Sequence, residues 1–542
     1  MKRILTLLAF TLLSCVSFAQ PLSRPKVVIG IVVDQMRWDY IYKFYNSYGN
    51  NGFKRLLNGG YVCQNAMVNY LPSHTAPGHS AIYTGSVPSI DGIAGNAFVS
   101  NADGLVHDAC EDKSVNLIGS TKTGASSPKN LLVTTVGDEL KLQTNMKSRT
   151  FSVAIKNRGS ILPGGHLCNG AYWYDDDLGC FTTSTYYMDK LPDWLVKLNA
   201  LQWDKKVMEN GWHISFADYS LSTADNVKYE NNFAKEATPT FPHLFVGQSS
   251  KERNLTFEMT PYGNQYTIMM AEALIQGEKV GKGPYTDFLS ISFSSVDELA
   301  HQFGCNSVEV QDMMLLLDKQ LAEFFKFLDE TYTPGNYLLF LTADHGGSHN
   351  EEFLKDLKIP AGVFEKNSVQ DVNQYLKSKF GIDSLVIAFP NYYQFFLNNT
   401  LLANNPNISR AAVRQGIIDW ALTKPQVLYA IDLYNISGSN LPSKIKEMVM
   451  NGYYRPNGGD VQIILNPANY EYLGNAKGNT HGTWSPADTH IPLIFYGWGV
   501  NKGETTNEVY TTDIAPTISA LLHIQMPNGC IGKPIQGVNK LK

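Results

Sequence analysis

Residues 337–347 read YLLFLTADHGG. A short, strongly apolar run predicts a strand buried on both faces. Asp344 and His345 follow it directly, and Gly346 and Gly347 give the backbone room to turn. The same form recurs at 26–33 (KVVIGIVV), closed by Asp34, at Asp287–Phe293 (DFLSISF), and at 491–496 (IPLIFY). Helical patterns lie between these runs. The clearest is 308–330, where Asn306 and Glu309 are expected to form a capping box. Strands alternating with helices predict an α/β sheet. In such sheets ligands collect outside the carboxyl ends of the strands, which is where these polar residues fall.

The chain has 542 residues and a formal charge of −5. Lys2 and Arg3 precede an apolar run from Ile4 to Leu13, and Ser17-Phe18-Ala19 offers a small-residue cleavage site, so residues 1–19 are expected to be a signal peptide. Its loss would take the charge to −7, because two cations leave. A periplasmic or secreted protein is the expectation, with lipid attachment at Cys15 as the minor alternative. No later segment has the roughly 18 uninterrupted apolar residues of a stable membrane span. No basic stripe points to nucleic acid. Six cysteines remain after cleavage and none forms a C-x-x-C pattern; Cys168 and Cys180 flank a short loop and are the candidates for a local disulfide.

The polar motifs run from Asp34 to His481, so residues 20–542 are read as one large domain. Stretches near 162–285 and 351–477, rich in Tyr, Trp, Asn and Pro, are read as insertions that wall or cap the site. Tyr172, Trp173 and Tyr174 either line its entrance or belong to the core.

Asp34, after a strand, is either a helix cap or a metal ligand. Asp297 and His301 in SSVDELAHQFG are separated by i, i+4, so on a helix they either grip one ion or form a solvated pair. His481 lies in the glycine-rich stretch GNTHGTW. Mixed Asp and His donors suit zinc better than calcium or magnesium, which take oxygen shells. In LPSHTAPGHS, residues 71–80, Thr75 is expected to cap a helix whose first turn holds Pro77; a helix amino terminus also favours a phosphoryl group. A threonine hydroxyl is a poor nucleophile at neutral pH, and coordination to zinc would let it lose its proton. His74 and His79 are read as packing or supporting residues.

Asp34, Thr75, Asp297, His301, Asp344, His345 and His481 occur in the order and spacing of the alkaline phosphatase superfamily. The sequence resembles its phosphate-irrepressible periplasmic alkaline phosphatases, which use threonine in place of serine. The resemblance covers essentially the whole mature chain. It implies a three-layer α/β/α sandwich with large cap insertions and two Zn2+ ions about 4 Å apart. Asp297, His301 and His481 would hold one, and Asp34, Asp344 and His345 the other, together with Thr75. It implies hydrolysis of small phosphate monoesters through a phosphothreonine. Asn96, 21 residues after Thr75, matches an asparagine that binds phosphate. Lys156 and Arg158, expected to point the same way from an extended segment, match a Lys-x-Arg pair that neutralises the monoester dianion. Asn157 between them is expected to face away.

A phosphodiesterase, nucleotide pyrophosphatase or phosphonate hydrolase on the same core is the alternative enzyme. A sulfatase is disfavoured, since Thr75-Ala76-Pro77-Gly78-His79 does not meet the C/S-x-P-x-R signature. A zinc-dependent surface binding protein without catalysis is the reading from a different class.

Overall fold

All four apolar runs are strands of one nine-stranded sheet. Its strands are β1 (Val27–Val33), β2 (Tyr61–Met67), β3 (Thr150–Ala154), β4 (Gly170–Asp175), β5 (Cys180–Thr182), β6 (Asp287–Phe293), β7 (Tyr337–Thr342), β8 (His490–Gly497) and β9 (Gly503–Tyr510). Their spatial order is β9-β2-β8-β7-β1-β6-β3-β4-β5. The structure is a computed structural model and describes residues 24–100, 104–121, 124–364, 367–389, 393–471 and 477–540. The expected signal peptide and Cys15 lie outside the described residues.

Every residue of β1 is buried. It pairs in parallel with β6 and β7, setting Val33 opposite Phe293 and Val32 opposite Thr342. This register brings the carboxyl ends of three strands to one edge, so Asp34, the turn after Phe293 and Asp344 emerge side by side. β8 runs antiparallel to β7, placing the segment before it, with His481, at the same edge.

The helices are α1 (Thr75–Thr84), α2 (Asn157–Gly164), α3 (Pro261–Gly277), α4 (Ser295–Phe303), α5 (Val308–Tyr332) and α6 (Ile514–Leu522). α1 packs on α2 and α6, while α3 packs on α5 and on β6, giving the α/β/α arrangement. α5 begins as predicted but with a different cap. Ser307 accepts from the N–H of Val310, whereas the Asn306 amide bonds to His349 Nδ1 at 2.8 Å and Glu309 turns inward.

Within 162–285, β4 and β5 join the edge of the main sheet, and Tyr172, Trp173 and Tyr174 on β4 are core residues. Residues 210–249 contain no helix or strand. Within 351–477, a separate four-stranded sheet (Val386–Ala388, Gln394–Leu397, Val427–Asp432, Val461–Leu465) has its own apolar core. This unit docks beside the site through Gly452: a Cβ there would stand 1.5 Å from the carbonyl oxygen of Leu71, at the start of the segment that leads to Thr75. Cys168 and Cys180 are both free thiols, which corrects the expected bridge; Cys168 Sγ instead donates to the carbonyl of Thr150.

Candidate active site and metal centre

Thr75 is the first residue of α1, and the residue at the cap position is His74. Its hydroxyl is buried and lies 3.4 Å from His345 Nε2. α1 approaches Asp344 closely because position 78 is glycine: a Cβ there would meet Asp344 Cβ at 2.5 Å. The N–H of Ala76 donates to Asn96 Oδ1 at 2.8 Å, which leaves the Asn96 amide nitrogen as a donor beside the helix terminus.

The six candidate ligands besides Thr75 converge. Asp297, His301 and His481 form one group whose ligand atoms all lie within 4.8 Å, and Asp34, Asp297 and His345 form a second. Asp297 therefore stands with both groups, where the sequence reading assigned it to one. Asp344 stands beside the second, its Oδ2 3.5 Å from His345 Nε2 and 3.2 Å from His79 Nδ1.

All three imidazoles are oriented in the same way. Nδ1 of His301 faces the carbonyl of Asn479 at 2.9 Å, Nδ1 of His481 that of Ser73 at 2.8 Å, and Nδ1 of His345 that of Gly346 at 2.8 Å. A carbonyl can only accept, so each Nδ1 carries the proton and each Nε2 offers a lone pair to the site. Asp34 Oδ1 and Asp344 Oδ2 are buried without a hydrogen bond. Carboxylates so placed need a cation. The donor set and its orientation fit divalent metal, with imidazole nitrogen favouring zinc.

One protein cation already lies among them. Lys156 Nζ is 3.0 Å from Asp34 Oδ2, 3.3 Å from Glu298 Oε1 and in contact with Asp297 Oδ2. Burial raises the Asp34 carboxyl well above the ordinary range, reinforced by Asp297 and Asp344. Burial acts the same way on Asp297, but His301 and Lys156 outweigh it and hold that group low. Burial, with His345 and His301 nearby, pushes His74 down to about 3.

Lys156 and Arg158 do not lie on an extended segment. Lys156 occupies the cap position of α2 and Arg158 its first turn, so the alternation of a strand does not govern them. Arg158 is half-buried and its Nε has no partner. Asn157 is not idle: its amide donates to Ser126 Oγ at 3.1 Å and its Oδ1 accepts from the N–H of Arg158 at 2.7 Å.

Gln35 was not singled out in the sequence. Its backbone N–H donates to Asp344 Oδ1 at 3.1 Å, its side-chain amide donates to Asp297 Oδ1, and its Oε1 accepts from Asn479 at 2.8 Å. It holds φ of 60°, the left-handed region that a glutamine rarely enters. Asp488 was also missed. Its carboxylate accepts from Ser348 and from both the N–H and hydroxyl of Thr483, joining the chain after His345 to the chain after His481. Neither residue has a sequence signal beyond its nearness to Asp34 or His481.

Residues 28–394 match the family described as type I phosphodiesterase / nucleotide pyrophosphatase. The chain belongs to this family. Among curated members, the alkaline phosphatase PhoV of Synechococcus elongatus is 46% identical, over 96% of this chain and 94% of its own. A Myroides odoratus protein named calcium-transporting ATPase is 44% identical, over 96% and 95%. The alkaline phosphatase PafA of Elizabethkingia meningoseptica is 43% identical, over 95% and 94%. The PafA crystal structure superposes with a TM-score of 0.92, covering 96% of this chain and all of that one. A crystal structure of a PafA variant carries substitutions at a threonine, an asparagine, a lysine and an arginine. In both proteins the first two of these lie 21 residues apart and the last two lie 2 apart, as do Thr75, Asn96, Lys156 and Arg158 here.

Proposed function

We propose that this family member is an alkaline phosphatase that hydrolyses phosphate monoesters through a phosphorylated Thr75. Asp34, Asp344 and His345 would hold one zinc ion, and Asp297, His301 and His481 the other, with Thr75 adjoining the first. The observation that carries this reading is the common orientation of three imidazoles, those of His345 and His481 buried and that of His301 half-buried, each Nδ1 tied to a carbonyl and each Nε2 turned toward the carboxylates, with His345 also facing Thr75. The two ions would supply the positive charge that lowers the hydroxyl pKa and stabilises the transferring phosphoryl group.

The chain's own residues do the rest. The Asn96 amide, oriented by the bond its Oδ1 accepts from the N–H of Ala76, donates to a non-bridging phosphate oxygen beside the amino terminus of α1. Lys156 and Arg158 balance the dianion of a monoester; a diester, with one charge fewer, has less need of both. Thr75 Oγ1 attacks phosphorus as the ester P–O bond breaks, and the departing alkoxide takes up a proton. Water then attacks phosphothreonine, breaking its P–O bond and returning the Thr75 hydroxyl and inorganic phosphate. His74, kept neutral, neither adds charge nor supplies a proton near neutral pH.

Export to the periplasm or medium accompanies this reading. No described helix is long and apolar enough to cross a membrane. The diesterase reading rests on the family description alone. The two are separated by comparing kcat/KM for an aryl phosphate with that for its methyl diester. Preference for the monoester, and loss of turnover with zinc retained in Thr75→Ala, are expected. A diester preference, or full turnover in Thr75→Ala, would sink the proposal.

A further inference from the structure

We infer that Asn157 and Ser126 are positioning residues for the phosphate site, joining the turn that carries Lys156 and Arg158 to the strand pairs that carry Asn96. Three donors to one phosphoryl group are thereby held as a single frame. The inference rests on the proposed phosphate-binding roles of Asn96, Lys156 and Arg158, and it gives a task to the residue between the two cations.

The need for Asn157 arises at the start of α2. Lys156 fills the cap position, and an ammonium group cannot accept a hydrogen bond. The N–H groups of the first turn therefore lack the acceptor that a serine or aspartate at the cap would supply. Asn157 Oδ1 takes that part for one of them, accepting from the N–H of Arg158 at 2.7 Å. This bond fixes the backbone from which the Arg158 side chain leaves. Arg158 depends on it, because its Nε has no partner, whereas Lys156 Nζ is already held by Asp34, Asp297 and Glu298.

The amide nitrogen of Asn157 crosses to a different part of the chain, donating to Ser126 Oγ at 3.1 Å. Ser126 belongs to the strand Ala125–Ser126, which pairs antiparallel with Glu111–Asp112 and sets Ser126 opposite Glu111. The Ser127 N–H donates to the Cys110 carbonyl at 2.9 Å, and the Ala109 N–H donates to the carbonyl of Asn96, also at 2.9 Å. Beside that bond, Ala97–Val99 pairs with Val106–Asp108. Ser184 Oγ donates to the Ser126 carbonyl at 2.8 Å and ties the same strand to the chain just beyond β5. Backbone bonds thus lead from Asn96 to Ser126, and the Asn157 amide carries the connection on to Lys156 and Arg158.

None of the residues in this connection is a candidate metal ligand, so the frame can be loosened while the metal centre is kept. Asn157 and Ser126 also border a hollow of about 220 Å³ lined by Trp173, Asp175 and Asp177. Truncating either one enlarges an existing space instead of opening a hole in the packed core. What is lost is the aim of the donors, and misplaced donors lower the rate without unfolding the protein.

The test uses the full-length, zinc-loaded enzyme. It measures Ki for inorganic phosphate and kcat/KM for an aryl phosphate and its methyl diester, alongside zinc content and circular dichroism. Ser126→Ala is expected to weaken phosphate inhibition and monoester turnover by about fivefold to tenfold, as one lost hydrogen bond allows. Asn157→Ala should lose more, since it removes both bonds, and the double variant should be no worse than Asn157→Ala. Ser126→Thr keeps the hydroxyl and should retain the affinity for phosphate. The diester should lose far less, and zinc content should hold. Ser126→Ala serves if Asn157→Ala fails to fold. Unchanged phosphate inhibition in the folded variants, fully additive losses, or equal losses for monoester and diester overturn the inference while leaving the phosphatase reading intact. An unsubstituted enzyme that neither binds phosphate nor prefers the monoester overturns both.

Discussion

Lys156 Nζ lies 3.0 Å from Asp34 Oδ2, inside the ring of metal-type ligands rather than outside it. An ammonium held there by Asp34, Asp297 and Glu298 belongs to the candidate metal centre as much as to the phosphate site. Substituting it should disturb both.

Lys156→Ala combined with Arg158→Ala is expected to lower kcat/KM for an aryl phosphate by about 10²- to 10⁴-fold, at roughly 1.5–3 kcal/mol for each charge-assisted contact. The methyl diester should lose far less. Steady-state kinetics on both substrates decides it, and equal losses would remove these two residues from monoester selection.

Gln35 bonds two carboxylates of the candidate metal centre at once, so Gln35→Ala should weaken retention of the proposed zinc by about 10- to 100-fold, the usual cost of losing a partner that orients a ligand. Chelator competition followed by metal analysis reads this directly. Gln35→Gly should lose the same metal affinity yet melt higher than Gln35→Ala, because glycine accepts the φ of 60° without strain. Identical melting of the two would show that the backbone stores nothing at this position.

Gly452→Ala is expected to destabilise the protein by about 1–3 kcal/mol, since the new methyl would overlap the Leu71 carbonyl and push the outer unit away. A lower Tm together with a raised KM for bulky esters is the expected pair of observations. An unchanged Tm would mean that the two parts slide freely past one another.

Burial pushes the Asp91 carboxyl up to about 6, although the Ile93 N–H and Ser80 hydroxyl pull it down. A folded value above the ordinary 3.8 means that the proton's stabilising contribution is complete only below about pH 4 and is lost as the pH rises through 6. Asp91→Asn does not titrate. Relative to the unsubstituted protein it should gain about 1–2 kcal/mol between pH 5 and pH 8 in urea unfolding. A difference independent of pH would refute the assignment.

The central strands were legible because strands buried on both faces must be apolar throughout, and most candidate ligands because Asp34, Asp344 and His345 follow such a strand and Asp297 and His301 sit one helical turn apart; His481, in a glycine-rich loop, carried no such local signal. Lys156 and Arg158 were read as a strand pair because a two-residue spacing is compatible with several backbones; the helix that begins at Asn157 is set by packing on α1 and β3. Ser307 and Asn306 are both good caps, and tertiary contact with His349 decided between them. Cys168 and Cys180 looked paired by nearness in sequence, which does not fix the direction of their side chains. Gln35 was hidden for a different reason. Its role depends on a left-handed turn and on two carboxylates that are distant in sequence, and no local pattern encodes either.

The register that sets β1 between β6 and β7 has a temporal consequence. A ribosome delivers Asp34 and Thr75 hundreds of residues before His481, so a nascent or truncated chain assembles only part of the candidate metal cluster. Catalytic competence should therefore switch on only as the final stretch threads home, and copies that end before His481 would be inert rather than weakly active.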